Sequence, residues 1–193
     1  MAETSQSAGV RARPAGKTGE FRDYEERFTA TPDPWSEIAT LEHGSDRSHA
    51  STVRSMVANA EPAQRPAMEA KLLEALTRPG VTDVGRLFVC RMLSLIGSAR
   101  CVPVLAPLLA NPATADAARY ALDGIPEPAV DEAYRGALAT LSGSAKIGLI
   151  GSMALRGDRQ ASPALLAIQQ NPAESAEVRA AAARALGRIN AST

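Results

Sequence analysis

The chain has 193 residues, 45% of them hydrophobic and 22% charged, the proportions of a globular protein with one sizeable domain. Its 21 basic residues offset 21 acidic ones, which excludes a long-range field that gathers nucleic acid or an anionic membrane and leaves local patches to meet any charged partner. No stretch approaches the roughly 20 apolar residues of a membrane span and the N-terminus lacks the apolar region of a secretory signal, so a cytoplasmic location is expected. Aromatic residues make up only 4% of the chain, so the core is expected to be aliphatic and layered through small residues.

From Met1 to about Gly19 the chain is Ser, Ala, Gly, Arg, Pro and Lys with hardly a large apolar residue, the composition of a disordered tail. Gly16-Lys17-Thr18 looks like the end of a phosphate-binding loop, but Arg11 stands where its first glycine belongs and no strand precedes it. Four of the seven aromatic residues then gather between residues 21 and 35: Phe21, Tyr24, Phe28 and Trp35. The first three share one face of a short helix, and Thr31-Pro32-Asp33-Pro34 predicts an extended break before Trp35. The segment is read as a linear docking motif or, ahead of that, as a cover over the first helices. Residues 1–45 are thus expected to be a largely disordered tail carrying the aromatic segment 21–35, and residues 46–193 the folded part.

Helical patterning resumes at Asp46, a candidate N-cap, and runs through Val53, Met56 and Val57 to Ala60-Glu61-Pro62. Four helix pairs follow, over 63–77 and 81–97, 100–110 and 113–124, 128–141 and 144–156, and 160–170 and 173–189. Leu93, Leu122, Leu155 and Leu186 fall late in the second helices at intervals of 29, 33 and 31 residues. Three continue as Leu-x-x-Ile, and the third pair departs with Asp158 at that position. Asn111-Pro112-Ala113 and Asn171-Pro172-Ala173 predict the same capped start for two second helices, with Glu174 completing a capping box. The apolar stripes of the first helices need neighbouring pairs to bury them, which defines a repeat array.

Ser175 to Ile189, with its run Val178-Arg179-Ala180-Ala181-Ala182-Ala183-Arg184-Ala185-Leu186-Gly187, resembles the second helix of bacterial HEAT repeats of the PBS-lyase-like kind. Phe88 to Ser98, followed by Val102 to Leu109, is similar to HEAT segments of large bacterial proteins. The resemblance covers about residues 63 to 190 and implies an all-α fold, a short right-handed α-solenoid of about four HEAT-like hairpins. It also implies a scaffold that presents a curved surface to a protein partner.

The pattern offers no constellation for catalysis. His43 and His49 lie outside the repeats with no third nitrogen or sulfur ligand nearby, and no Gly-x-Ser-x-Gly elbow occurs. Cys90 and Cys101 sit singly in apolar helical patterns and read as buried thiols. Arg156-Gly157-Asp158 matches an integrin-binding tripeptide but falls at a helix end, where Gly is an ordinary stop. No metal or cofactor is expected.

The candidate partner-binding residues are Arg86, Arg91, Arg119, Lys146, Arg179 and Arg184 on the second helices, which line the concave side of HEAT stacks. A bilin-lyase-like enzyme or accessory factor and a binder of nucleic-acid phosphates are the alternatives. Residues 81–193 hold 11 basic against 9 acidic side chains, which disfavours nucleic acid. Because the chain stops directly after an Ala-rich repeat, association through that C-terminal end is also expected, with a second copy or as part of a longer protein.

Overall fold

A computed structural model of the chain describes residues 33–191. These residues are all-α: among them are ten α-helices and no strand. Phe21, Tyr24 and Phe28 lie outside the described residues. The compact unit begins at Asp33, so the expected domain boundary moves from residue 46 to residue 33.

Of the expected break before Trp35, Thr31 and Pro32 lie outside the described residues, and Asp33 and Pro34 are a helix start. Asp33 Oδ1 accepts from Trp35 N at 3.2 Å and Pro34 occupies the first position of α1 (Pro34–Glu37), where its missing N–H costs nothing. A 3-10 turn over Ile38–Thr40 follows. Trp35, Ile38, Ala39 and Leu41 are all buried, with Lys71 Nζ 5.3 Å from the centre of the Trp35 ring. Next come α2 (Ser48–Ala58) and α3 (Arg65–Thr77). Asp46 stands one residue outside the cap position of α2, its carboxylate accepting from Ser48 N and Ser48 Oγ at 2.9 and 2.7 Å.

Thr82 starts α4 (Asp83–Ile96), its hydroxyl accepting from Gly85 N at 2.9 Å. The same hydroxyl donates to Leu41 O at 2.5 Å, and Thr82 N donates to Ala39 O at 3.0 Å, so the cap of α4 also fastens the 38–41 segment. Gly85 makes this approach possible, because a Cβ there would stand 2.2 Å from Ala39 O.

The remaining helices are α5 (Val102–Leu109), α6 (Pro112–Asp123), α7 (Pro128–Ala137), α8 (Gly143–Arg156), α9 (Ser162–Gln170) and α10 (Ala176–Ala191). The two helices of each expected pair pack together: α3 with α4, α5 with α6, α7 with α8, α9 with α10. The second helices also meet in series, α4 on α6, α6 on α8 and α8 on α10, and α5 packs on α7. One cluster of buried side chains runs from Trp35 to Ile189, mostly Leu, Val, Ile and Ala.

Two details of the expected repeat change. Leu155 is 66% exposed, while Met153 is fully buried, as Leu93 and Leu122 are. The register residues are therefore Leu93, Leu122, Met153 and Leu186, spaced 29, 31 and 33, and the position held by Ile96, Ile125 and Ile189 is Arg156 in the third pair. Leucine identity pointed two residues too far, because an exposed Leu was counted as core. Asn171-Pro172-Ala173 forms a turn rather than the start of α10; Asn171 Oδ1 accepts from Ala173 N at 3.0 Å, but the helix begins at Ala176, with Ser175 Oγ accepting from Val178 N at 3.3 Å. Pro fits a turn as readily as a first helical position. Gly157 ends α8 in the left-handed region at φ 70°, and Asp158 after it is buried against Arg135 at 2.7 Å. That aspartate is therefore closed to an outside receptor.

Candidate functional site

The helix starts set a common register for the second helices, counted from Thr82, Asn111, Ser142 and Ser175. Residues three, seven, ten, eleven and fourteen positions on face the core in most helices, for instance Gly85, Val89, Met92, Leu93 and Ile96 in α4. The fourth position holds Arg86, Ala115, Lys146 and Arg179. The fifth, ninth and thirteenth positions make the outer rows: Leu87, Asp116, Ile147 and Ala180; Arg91, Tyr120, Gly151 and Arg184; Leu95, Gly124, Leu155 and Arg188.

The six basic residues expected to face a partner do not form one patch. Lys146 is buried and paired with Glu174, from the turn between α9 and α10. Arg119 lies between α6 and α8, with its guanidinium 3.0 Å from Asp123 Oδ2, 3.2 Å from Ser152 Oγ and 3.4 Å from Asp116 Oδ1. Ser152 Oγ donates to Asp123 Oδ2 at 3.0 Å, and the Tyr134 hydroxyl stands 2.8 Å from Asp123 Oδ1, completing a polar knot that binds the second pair to the third. Burial, together with the Asp123 charge, raises the Tyr134 pKa, so the phenol stays a donor. Arg86 and Arg179 are half-buried, each with a buried Nε that has no hydrogen-bond partner. Only Arg91 and Arg184 are exposed, and neither has an ion pair among the described residues.

Sequence reasoning missed the apolar half of this face. Among the described residues six large hydrophobic side chains are exposed, and four of them, Leu87, Leu95, Tyr120 and Leu155, stand in the outer rows of α4, α6 and α8. The signal was available once register was counted from the caps rather than from leucines. Between α8 and α10 the face dips into a groove of about 310 Å³, lined by Ile147, Ala154 and Leu155 on one wall and Ala181, Ala185 and Arg184 on the other. The C-terminal pair offers much less: Leu165, Val178, Ala182, Ala185 and Ile189 are buried, and Leu166 is its one exposed large apolar residue.

Trp35 is a core residue, not a docking residue. His43 is exposed and His49 half-buried, and among the described residues no group of three or more His, Cys, Asp or Glu could hold a metal ion.

A buried cluster that no motif announced joins α3 to the α4–α5 connection. Glu69, 2% exposed, accepts from Ser98 N at 2.8 Å, Ser98 Oγ at 2.7 Å and Cys101 Sγ at 2.9 Å, with Arg100 at 3.8 Å. Burial opposes its charge, but the hydrogen bonds from Cys101 and Ser98 and the Arg100 charge outweigh it, and the carboxyl pKa is lowered. The Cys101 thiol is pushed up to about 12 by burial and by donating to Glu69. A sealed thiol held protonated is a structural donor, not a nucleophile. Cys90, also fully buried, is likewise raised to about 12 by burial.

Among the described residues no helix is long and apolar enough to cross a membrane. Comparison of the chain with protein-family models, with curated proteins and with solved structures finds no match.

Proposed function

We propose that the four helix pairs form a short right-handed α-solenoid of the HEAT type and act as a non-enzymatic interaction module. Its protein partner binds along the outer rows of the second helices, the concave side of such a solenoid. Serial packing of α4, α6, α8 and α10 supports the architecture, as does the common burial register. The observation that carries the function is the gathering of Leu87, Leu95, Tyr120 and Leu155 on one face with Arg91 and Arg184 among them. Covering an exposed leucine yields on the order of 1–2 kcal/mol, and aromatic and arginine side chains are the usual anchors of protein interfaces. The C-terminal end, with Leu166 alone, is the weaker surface. A bilin-lyase-like reaction draws on no comparable feature of this face, and the even charge balance of the chain disfavours nucleic-acid phosphates.

Affinity capture with the full chain, quantified against a Tyr120→Asp, Leu155→Asp double variant, tests the reading. Both side chains are exposed, so the variant is expected to keep its melting temperature while losing the specific partner. An unchanged set of captured proteins would sink it.

A further inference from the structure

The N-terminal end of the same face carries a second groove, of about 280 Å³, where the loop after Leu41 and helix α2 flank α4. Its rim is cationic. Arg47 at the start of α2, Arg54 about two turns further along, Arg91 from the outer row of α4 and His43 from the loop all line it. The three arginines are exposed, and none has an ion pair among the described residues. Asp83 is the one acid in the lining, and as the first residue of α4 it is already opposed by the positive end of that helix. Glu42 stands beside His43 on the adjoining cleft, outside this groove.

The floor is apolar. Val84, Leu87 and Phe88 provide it, with Leu87 40% exposed. Three guanidiniums above a hydrophobic floor match a ligand that places a hydrocarbon or ring downward and carboxylates to either side. Arginine forks bind carboxylates in two-pronged fashion, which fixes direction as well as charge. Leu87 and Arg91 belong to the outer rows, so whatever fills this groove runs on along the proposed docking face. The chain as a whole is balanced in charge, so the positive character of this groove is local rather than part of a long nucleic-acid track.

We propose that this groove takes an acidic, apolar-anchored peptide segment of the partner protein: one large apolar side chain seated on Val84, Leu87 and Phe88, with flanking carboxylates on Arg47, Arg54 and Arg91. The inference rests on the docking-face reading above and gives it a partner chemistry.

A random peptide library displayed on phage, selected against the immobilised full chain, tests it. The peptides recovered are then titrated by fluorescence anisotropy against three variants: Arg54→Glu with Arg91→Glu, Tyr120→Asp with Leu155→Asp, and Arg159→Glu as an exposed control elsewhere. Recovery of sequences with an apolar residue between acids, bound at least about ten-fold more weakly by the Arg54/Arg91 variant and equally by the control, is the expected result. The milder pair Arg54→Gln with Arg91→Gln, checked for an unchanged melting temperature, separates lost charge from lost fold. Peptides with no acidic excess that respond only to the Tyr120/Leu155 variant would overturn this inference and leave the docking face standing. Peptides indifferent to both pairs, or no enrichment at all, would overturn both.

Discussion

Two neighbouring sets of positions on the second helices carry basic residues and meet opposite fates. At the fourth position after each cap, Lys146 is buried on Glu174, and Arg86 and Arg179 are half-buried. At the ninth, Arg91 and Arg184 stand in solvent, in the row that also holds Tyr120. A few steps of helical rotation turn a residue from the flank, where the next pair reaches it, to the open face. A count of arginines along these helices therefore does not measure the charge offered to a partner. Lys146 and Arg119 are ion-paired within the stack, and the open face is as much leucine and tyrosine as arginine.

The contrast can be broken or sharpened by substitution, and the largest effect belongs to the most deeply sealed group. Glu69→Ala leaves Ser98 N, Ser98 Oγ and Cys101 Sγ without their acceptor, and is expected to cost about 3 kcal/mol in urea unfolding. Because the folded-state pKa of Glu69 is lowered, its contribution is complete above the ordinary value of 4.5 and is lost as pH falls through the folded value. Glu69→Gln should flatten that acid-side loss in a pH series of unfolding curves.

Gly85→Ala places a Cβ against Ala39 O and is expected to cost roughly 1–3 kcal/mol. Trp35 is the one tryptophan, so its fluorescence should shift to longer wavelength as the 38–41 segment lifts. Lys146→Ala strands the Glu174 carboxylate and should cost about 2 kcal/mol. Arg91→Ala and Arg184→Ala, on the open rows, should stay within about 0.5 kcal/mol of the parent. A Lys146→Ala variant as stable as Arg91→Ala would erase the distinction between the two sets.

Much of the fold was legible in the residues. Asn111 and Gly157 marked helix ends by capping chemistry, and most helix limits fall within a few residues of those read from periodicity. What escaped depends on distant partners. Leu155 carries the same side chain as the core leucines, and only packing between α8 and its neighbours shows that Met153 takes the inward place. The Glu69 cluster joins residues some thirty apart and has no local signature. The candidate face was half legible: Arg91 and Arg184 were named from their helices, but the burial of Lys146 on Glu174 and the contact of Arg119 with Ser152 depend on residues of other helices and turns.

The docking face is tested most directly by photo-crosslinking in the cells that make the protein, with a benzophenone side chain placed singly at Tyr120, Leu155 or Leu166. A shared protein adduct from positions 120 and 155, absent from 166, is the predicted result. Adducts from 166 with none from 120 or 155 would move the interface to the C-terminal pair and contradict the account.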